Sequence, residues 1–349
     1  MIPPLRHLFV TTTIRCNLAC PHCWIDAQST MSEHESDQMD INPNRFDSIL
    51  EEACEQGLKT VKFTGGEPLL HPKFPELFGA AIRRGLLVDI ETNGTAGTEI
   101  FERAINLAKP RSISVSIDSS DPNQHDEFRR SPGSWRKAVR FCKTLESAGI
   151  SYGVVSTAIS LNTKAISDLA KFVFNRGANY LKINPVTPMG RGLLLDRKIP
   201  DLEKRLSFVR EIHSRFGPEV RVSIPPAFLS LARLKSYTPC PVLNIVGLIP
   251  GGRLALCGAG NTNEAMIIGN LDQNSLSELW KQSGFLRRLR SLVPTELKGI
   301  CSKCILNGIC KGYCLASNYV ANNRLNGSNR ICTEAYQRGL FPETRMIDG

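Results

Sequence analysis

The stretch TTTIRCNLACPHCW, residues 11–24, places Cys16, Cys20 and Cys23 directly after an apolar run. Thiols packed this closely in a chain with no secretory signal suit metal or redox chemistry better than disulfides. Iron–sulfur clusters are held by cysteine thiolates, one for each iron of a cubane. Three thiolates would therefore leave one iron open, which is a catalytic feature of metal sites in general. Zinc is the alternative. A structural zinc wants four tight ligands, commonly from paired C-x2-C units, and His22 is pinned between the cysteines. The triplet alone leaves both readings open.

Outward from this stretch the chain has a rhythm. Short β-prone runs recur near 8–13, 58–64, 86–92, 112–118, 151–159 and 179–184. Between them lie segments of helical spacing such as FDSILEEACEQ, FPELFGAAIRR and WRKAVRFCKTLESA. This alternation is that of βα units. The strand runs read as apolar on both faces, as in a parallel sheet covered by helices. Right-handed crossovers then give an α/β fold, a partial (β/α)6 barrel, because six units fall short of the eight that close a barrel. In such folds the chemistry sits at the C-terminal ends of the strands.

Those ends carry polar motifs. After the second strand comes TGGEP, where Gly65 and Gly66 let backbone approach a ligand closely and Glu67 supplies a carboxylate. After the third comes ETNGT, with Asn93. The fourth offers Ser116 and Asp118 at a spacing of two, hence on one face, with Arg129 further on. Each could be a plain turn. Their placement behind successive strands, next to the cysteine triplet, is what makes the set specific.

Bulk properties bound the rest. The 349 residues are 42% hydrophobic and 22% charged, as in a soluble globular protein of one or two domains. No apolar run approaches the ~20 residues of a membrane helix, and the N-terminus does not read as a signal peptide. These features predict a cytoplasmic protein with no membrane partner. The net charge of +10 raises the question of nucleic acid. Lysines and arginines are scattered, however, and the one dense stretch, FLRRLR at 285–290, reads as the solvated face of a helix. No nucleic-acid partner is expected.

Of twelve cysteines, seven (Cys240, Cys257, Cys301, Cys304, Cys310, Cys314 and Cys332) lie in the last third. This asymmetry divides the chain into residues 1–200, a bridging helical segment at 201–239, and a cysteine-rich module at 240–349. A zinc ribbon is the plain alternative for that module. Residues 267–290 read as a turn leading into an amphipathic helix. Cys54 and Cys142 stand alone on apolar helix faces and read as buried structural residues.

Residues 7–190 resemble radical S-adenosylmethionine (SAM) enzymes in the C-x3-C-x2-C triplet, the G-G-E-P motif and the βα order. The resemblance implies that Cys16, Cys20 and Cys23 hold a [4Fe–4S] cluster whose unique iron chelates SAM. Reductive cleavage of SAM would then give a 5′-deoxyadenosyl radical that abstracts hydrogen from substrate. The same resemblance implies Gly65, Gly66 and Glu67 by the methionine amino group, His22 and Val186 by the adenine, and Ser116 and Arg129 near the ribose and carboxylate. Asn93 and Asp118 are further cofactor-binding candidates. Residues 240–335 resemble the SPASM extension of these enzymes. That implies two auxiliary [4Fe–4S] clusters, three in all. Cys301, Cys304, Cys310 and Cys332 would hold the distal one, and Cys240, Cys257 and Cys314 the nearer, with its fourth position open.

By resemblance the substrate is a ribosomal precursor peptide, undergoing oxidative crosslinking, dehydrogenation or epimerisation. A small molecule of sugar or aminoglycoside type is the alternative, and a zinc-bearing nucleic-acid-binding protein the remote one. Gly258 stands where sulfatase maturases of this type carry an acidic base, which speaks against that activity. The first strand begins near residue 7, leaving no room for a leader-binding domain, so a separate peptide-recognition protein is a candidate partner. A flavodoxin- or ferredoxin-type electron donor is expected as well. No catalytic acid, base or hydrogen donor is assigned.

Overall fold

A computed structural model describes residues 2–28, 39–158, 161–198 and 200–347. Six parallel strands form the centre: β1 (His7–Thr11), β2 (Thr60–Thr64), β3 (Leu87–Thr92), β4 (Ser112–Ser116), β5 (Tyr152–Ala158) and β6 (Leu181–Pro185). They lie side by side in chain order. The connecting helices are α1 (Pro43–Glu55), α2 (Phe74–Arg83), α3 (Thr98–Ile105), α4 (Pro122–Arg129), α5 (Ser134–Ser147) and α6 (Thr163–Phe174). Their starts are written locally. Asn42 accepts hydrogen bonds from the amides of Asn44 and Arg45 ahead of Pro43, and Asp121 caps α4 in the same way ahead of Pro122.

The expected six-unit partial barrel is thus present, and the sheet runs beyond it on both sides. Helix α7 (Leu202–Arg215) leads into β7 (Val220–Val222), which pairs in parallel with β6. The bridging segment is therefore not wholly helical. On the other side β8 (Ile245–Ile249) pairs in parallel with β1, and β9 (Arg253–Ala255) and β10 (Ile267–Asn270) continue antiparallel. The boundary expected at residue 240 accordingly does not separate two sheets. The three-residue β8–β9 turn, Pro250–Gly252, carries consecutive left-handed glycines, Gly251 at φ 74° and Gly252 at φ 65°, a backbone that favours glycine. The predicted helix over 267–290 resolves into β10, a turn, and two helices, α8 (Leu276–Gln282) and α9 (Gly284–Leu292), broken at Ser283.

The strands are not apolar on both faces. Leu8, Val10, Val61, Phe63, Val88, Ile90, Ile113, Val115, Val154, Leu181 and Ile183 are buried against the helices. Residues of the other parity, among them Lys62, Glu91, Ser114 and Lys182, face a polar interior. A partial barrel that must admit a substrate cannot fill its interior with aliphatic side chains, so β2, β3, β4 and β6 alternate. Cys142 is buried as expected, whereas Cys54 is only half-buried.

Candidate active site

The loop after β1 carries the cysteine triplet. It is fixed by backbone bonds from Cys16 N to Gln28 O (2.8 Å) and from Cys23 N to Cys20 O (3.2 Å). The TGGEP loop packs directly onto its start, with Gly66 N donating to Thr13 O and Glu67 N to Arg15 O, both at 2.8 Å. This contact explains the glycines. A Cβ on Gly65 would stand 2.4 Å from Thr13 O, and one on Gly66 would stand 1.9 Å from Arg15 O. Gly65 also holds φ at 146°.

Glu67 is wholly buried, and its carboxylate is committed within the protein. Oε1 accepts from Thr92 Oγ1 (2.6 Å) and Leu69 N (3.2 Å), and Oε2 accepts from Asn93 N (2.7 Å). Burial pushes its carboxyl up to about 7. The side chain braces the third loop against the second. Asn93 in turn aims Nδ2 at Asn17 Oδ1 (3.0 Å) and towards Cys16 Sγ (3.8 Å).

Asp118 and Arg129 form a closed ion pair. Arg129 Nε donates to Asp118 Oδ2 at 2.7 Å, with only 6% and 4% of the two side chains exposed. Asp118 Oδ1 accepts from Thr157 N at 2.8 Å. Among the described residues the terminal nitrogens of Arg129 have no partner, and the guanidinium lies within electrostatic reach of the Cys20 and Cys16 thiols. His22 stacks on Phe128, with ring centroids 4.2 Å apart, and burial lowers its pKa to about 4. Its Nδ1 is buried with no partner among the described residues. Ser116 ends β4 on the interior face, and Val186 follows β6. Gly66, Glu67, Asn93, Asp118 and Arg129, which follow β2, β3 and β4, are therefore gathered around one loop.

Burial raises the thiols of Cys16, to about 12, and of Cys20. Three thiols beside an arginine with free donors, on backbone that tolerates no other side chain, fit a three-cysteine cluster with an open iron. Among the described residues no three His, Cys, Asp or Glu side chains converge closely enough to hold a single metal ion.

Sequence reasoning missed Arg191. Its Nε donates to Cys20 O (2.9 Å) and its Nη1 to Ala27 O (2.7 Å) and Asp26 Oδ1 (3.0 Å), while its backbone N donates to Cys23 O (2.9 Å). The preceding Gly190 is packed so tightly that a Cβ would stand 2.6 Å from Cys23 O. The only sequence signal was a Gly-Arg-Gly run after β6.

In the C-terminal third, Cys301, Cys304, Cys310 and Cys332 line one small apolar cleft with Pro225, Ile300, Leu306 and Phe341. Cys240, Cys257 and Cys314 lie within electrostatic reach of one another, and burial pushes Cys257 up to about 12. Gly247 on β8 makes room for the Cys257 backbone, since a Cβ there would stand 2.0 Å from Cys257 O. Gly258 is closed in by the rings of Phe9 and Trp24, which stand 2.5 and 2.7 Å from where a Cβ would lie, so any side chain there would have to displace one of them.

Residues 10–174 match the Radical SAM superfamily. The AdoMet-dependent heme synthase of Oleidesulfovibrio alaskensis is 24% identical, over 95% of this chain and 88% of its own. The mycofactocin maturase MftC of Mycobacterium ulcerans is 25% identical, over 95% and 89%. Among solved structures, Streptococcus suis SuiB bound to S-adenosylmethionine superposes with a TM-score of 0.72 at 17% identity, covering 95% of this chain and 77% of SuiB. The same protein has also been solved bound to the precursor peptide SuiA. The chain thus carries, at residues 10–174, a segment that matches the Radical SAM superfamily, on a fold that it shares with SuiB over 95% of its length.

Proposed function

We propose that this chain is a radical enzyme that oxidatively modifies a ribosomal precursor peptide. The observation that carries the reading is the triplet loop itself: three thiols gathered with Arg129, Asn93 and the Gly65–Gly66 backbone at one end of a parallel sheet. Cys16, Cys20 and Cys23 would hold a [4Fe–4S] cluster with an open iron for SAM. When bound, this pair supplies a carbon-centred radical that takes a hydrogen atom from substrate. The work of the chain is positioning and exclusion of water. Arg129 offers its free donors to a carboxylate, the Gly66 backbone lies open to an amino group, and His22, Ser116 and Val186 line the remaining surface.

Two auxiliary clusters complete the proposal, one held by Cys301, Cys304, Cys310 and Cys332, the other by Cys240, Cys257 and Cys314 with an open position. They offer a sink for electrons, which favours oxidation. Epimerisation needs a hydrogen donor, often a thiol. Every cysteine outside these three sets, namely Cys54 and Cys142, lies on an outer helix. The peptide substrate is supported by the relatives named mycofactocin maturase and PqqA peptide cyclase, and by SuiB with its bound precursor. Relatives named heme synthase favour a second reading, in which the same catalyst acts on a small molecule.

The test is anaerobic reconstitution followed by turnover with SAM and dithionite. About twelve irons per chain, release of 5′-deoxyadenosine, and loss of that release in Cys20→Ala are expected. Zinc in place of iron, or unchanged release by Cys20→Ala, would overturn the reading. Mass spectrometry of candidate substrates then separates loss of two hydrogens from the single solvent deuterium of an epimerisation.

A further inference from the structure

The interior of the barrel carries more cations than its own carboxylates neutralise. Lys182 sits in β6 between Leu181 and Ile183, both fully buried against the helices. By strand alternation its side chain faces the interior, where it is exposed. Its ladder partner on β5 is Val155, which faces the same way. Lys62, between buried Val61 and Phe63, shares that interior, and its Nζ donates to Glu91 Oε1 at 2.8 Å. Asp89, one pair deeper, is bound by Arg111. Both β3 carboxylates beside Lys62 are thus taken.

Below Lys182 the floor is built. Gly153 has no side chain, and the Tyr180 ring crosses the space, 2.2 Å from where a Cβ would stand. The Tyr180 hydroxyl pairs with Ser114 Oγ at 2.8 Å. The Arg221 guanidinium lies 5.0 Å from the centre of the same ring. Lys182 therefore stands above an aromatic floor, two residues below Asn184 at the mouth, a depth of about 6–7 Å. It lies within electrostatic reach of Glu91, Lys62, Arg221 and the Cys240 thiol, and burial opposes its charge. Among the described residues it has no hydrogen-bond partner. An ammonium so placed can donate a charge-assisted hydrogen bond to an anionic partner.

We propose that Lys182 is a substrate-binding residue, and that it takes a carboxylate of the substrate into the barrel interior beside the Lys62–Glu91 pair. This rests on the reading of the barrel as a radical-enzyme active site and names its substrate chemistry: an acid, borne either by a peptide or by a free small molecule. The nearness of Lys182 to Cys240 would set that carboxylate on the side of the Cys240, Cys257 and Cys314 set.

The test is titration calorimetry of the anaerobic holoenzyme with SAM present and no reductant, so that binding is read without turnover. Two matched pairs serve as probes: acetyl-Gly-Glu-Gly-amide against its Gln counterpart, and glutarate against glutaramate. In the wild type at least one acid is expected to bind about tenfold tighter than its amide. A preference within the peptide pair indicates a peptide carboxylate, and one within the glutarate pair alone indicates a free acid. The preference should vanish in Lys182→Met and in Lys182→Gln and survive in Lys182→Arg, with iron content and circular dichroism matched across the set. Equal binding of acid and amide in both pairs, or a preference that persists in both neutral variants, overturns the proposal. Failure of the wild type to release 5′-deoxyadenosine would instead overturn the radical reading and leave the binding result standing.

Discussion

Arg191 donates from Nε to the carbonyl oxygen of Cys20 at 2.9 Å, across 171 residues of sequence. With its bonds to Ala27 O and Asp26 it ties the triplet loop to the chain that follows the last strand of the six-stranded unit. A hydrogen bond from a charged donor is worth about 1.5–3 kcal/mol, and a planar guanidinium holds two acceptors in fixed directions where a flexible ammonium does not. Arg191→Ala should therefore release iron to a chelator several-fold faster than the wild type, with Arg191→Lys in between. Faster amide exchange over residues 16–28 should accompany it. Equal release rates would reduce Arg191 to a surface contact.

Gly66 tests how closely the second loop must approach the first. A Cβ there meets three backbone atoms, Arg15 O at 1.9 Å, Arg15 C at 2.4 Å and Ile14 O at 2.7 Å, so nothing flexible can yield. Gly66→Ala should cost on the order of 3–5 kcal/mol and displace the triplet loop. Gly133→Ala is the control. It has open space around it and only a left-handed φ of 80° to accommodate, which costs about 1 kcal/mol. Thermal melting and iron content of the two variants separate steric exclusion from backbone preference.

His125 is fully buried in α4, and its Nδ1 accepts the amide of Asp118 at 3.1 Å. Burial and the neighbouring Arg129 lower its pKa to about 4, from an ordinary value near 6.5. Between these values the unfolded chain binds a proton that the folded chain refuses. Its contribution is therefore present above pH 6.5 and lost as pH falls towards 4, to the extent of about 3 kcal/mol. His125→Gln, which keeps an acceptor and cannot titrate, should flatten the fall in melting temperature between pH 6.5 and pH 4. A curve that keeps the wild-type slope would assign the acid sensitivity to other groups.

Much of this was legible in the sequence because it is local. The alternation of apolar runs gave six strands within a residue or two, and the motifs behind them came from strand ends, which the parallel topology gathers at one edge. What was missed depends on partners distant in the chain. Val220–Val222 is too short to announce itself as a strand, and it forms because the edge of β6 is there to pair with. Ile245–Ile249 lies among cysteines that draw the eye to metal, yet it completes the first sheet beside β1. The interior alternation of Lys62, Glu91 and Lys182 was visible in TVKFT, VDIET and LKINP, but the apolar majority in each run hid it. The carboxylate of Glu67 offers the same lesson at the site. Its residue type suggested ligand contact, and only the fold reveals that Thr92, Asn93 and Leu69 already occupy it.

Asp118 and Arg129 pose a question of separation, because one pair serves both the packing and the site. Each charge is almost closed to solvent, and breaking such a pair from one side strands the other at a cost of about 3–5 kcal/mol. Asp118→Ala should therefore melt well below the wild type, and so should Arg129→Met. The double variant removes both charges at once and should recover a substantial part of the loss, since an apolar replacement of a buried pair is often near neutral. Affinity for SAM should not recover with it, because the free terminal nitrogens of Arg129 are gone in the double variant as in the single. Melting temperatures and SAM titrations across the four proteins, at matched iron content, read the two roles independently. If affinity returned together with stability in the double variant, Arg129 would act on the site only through packing.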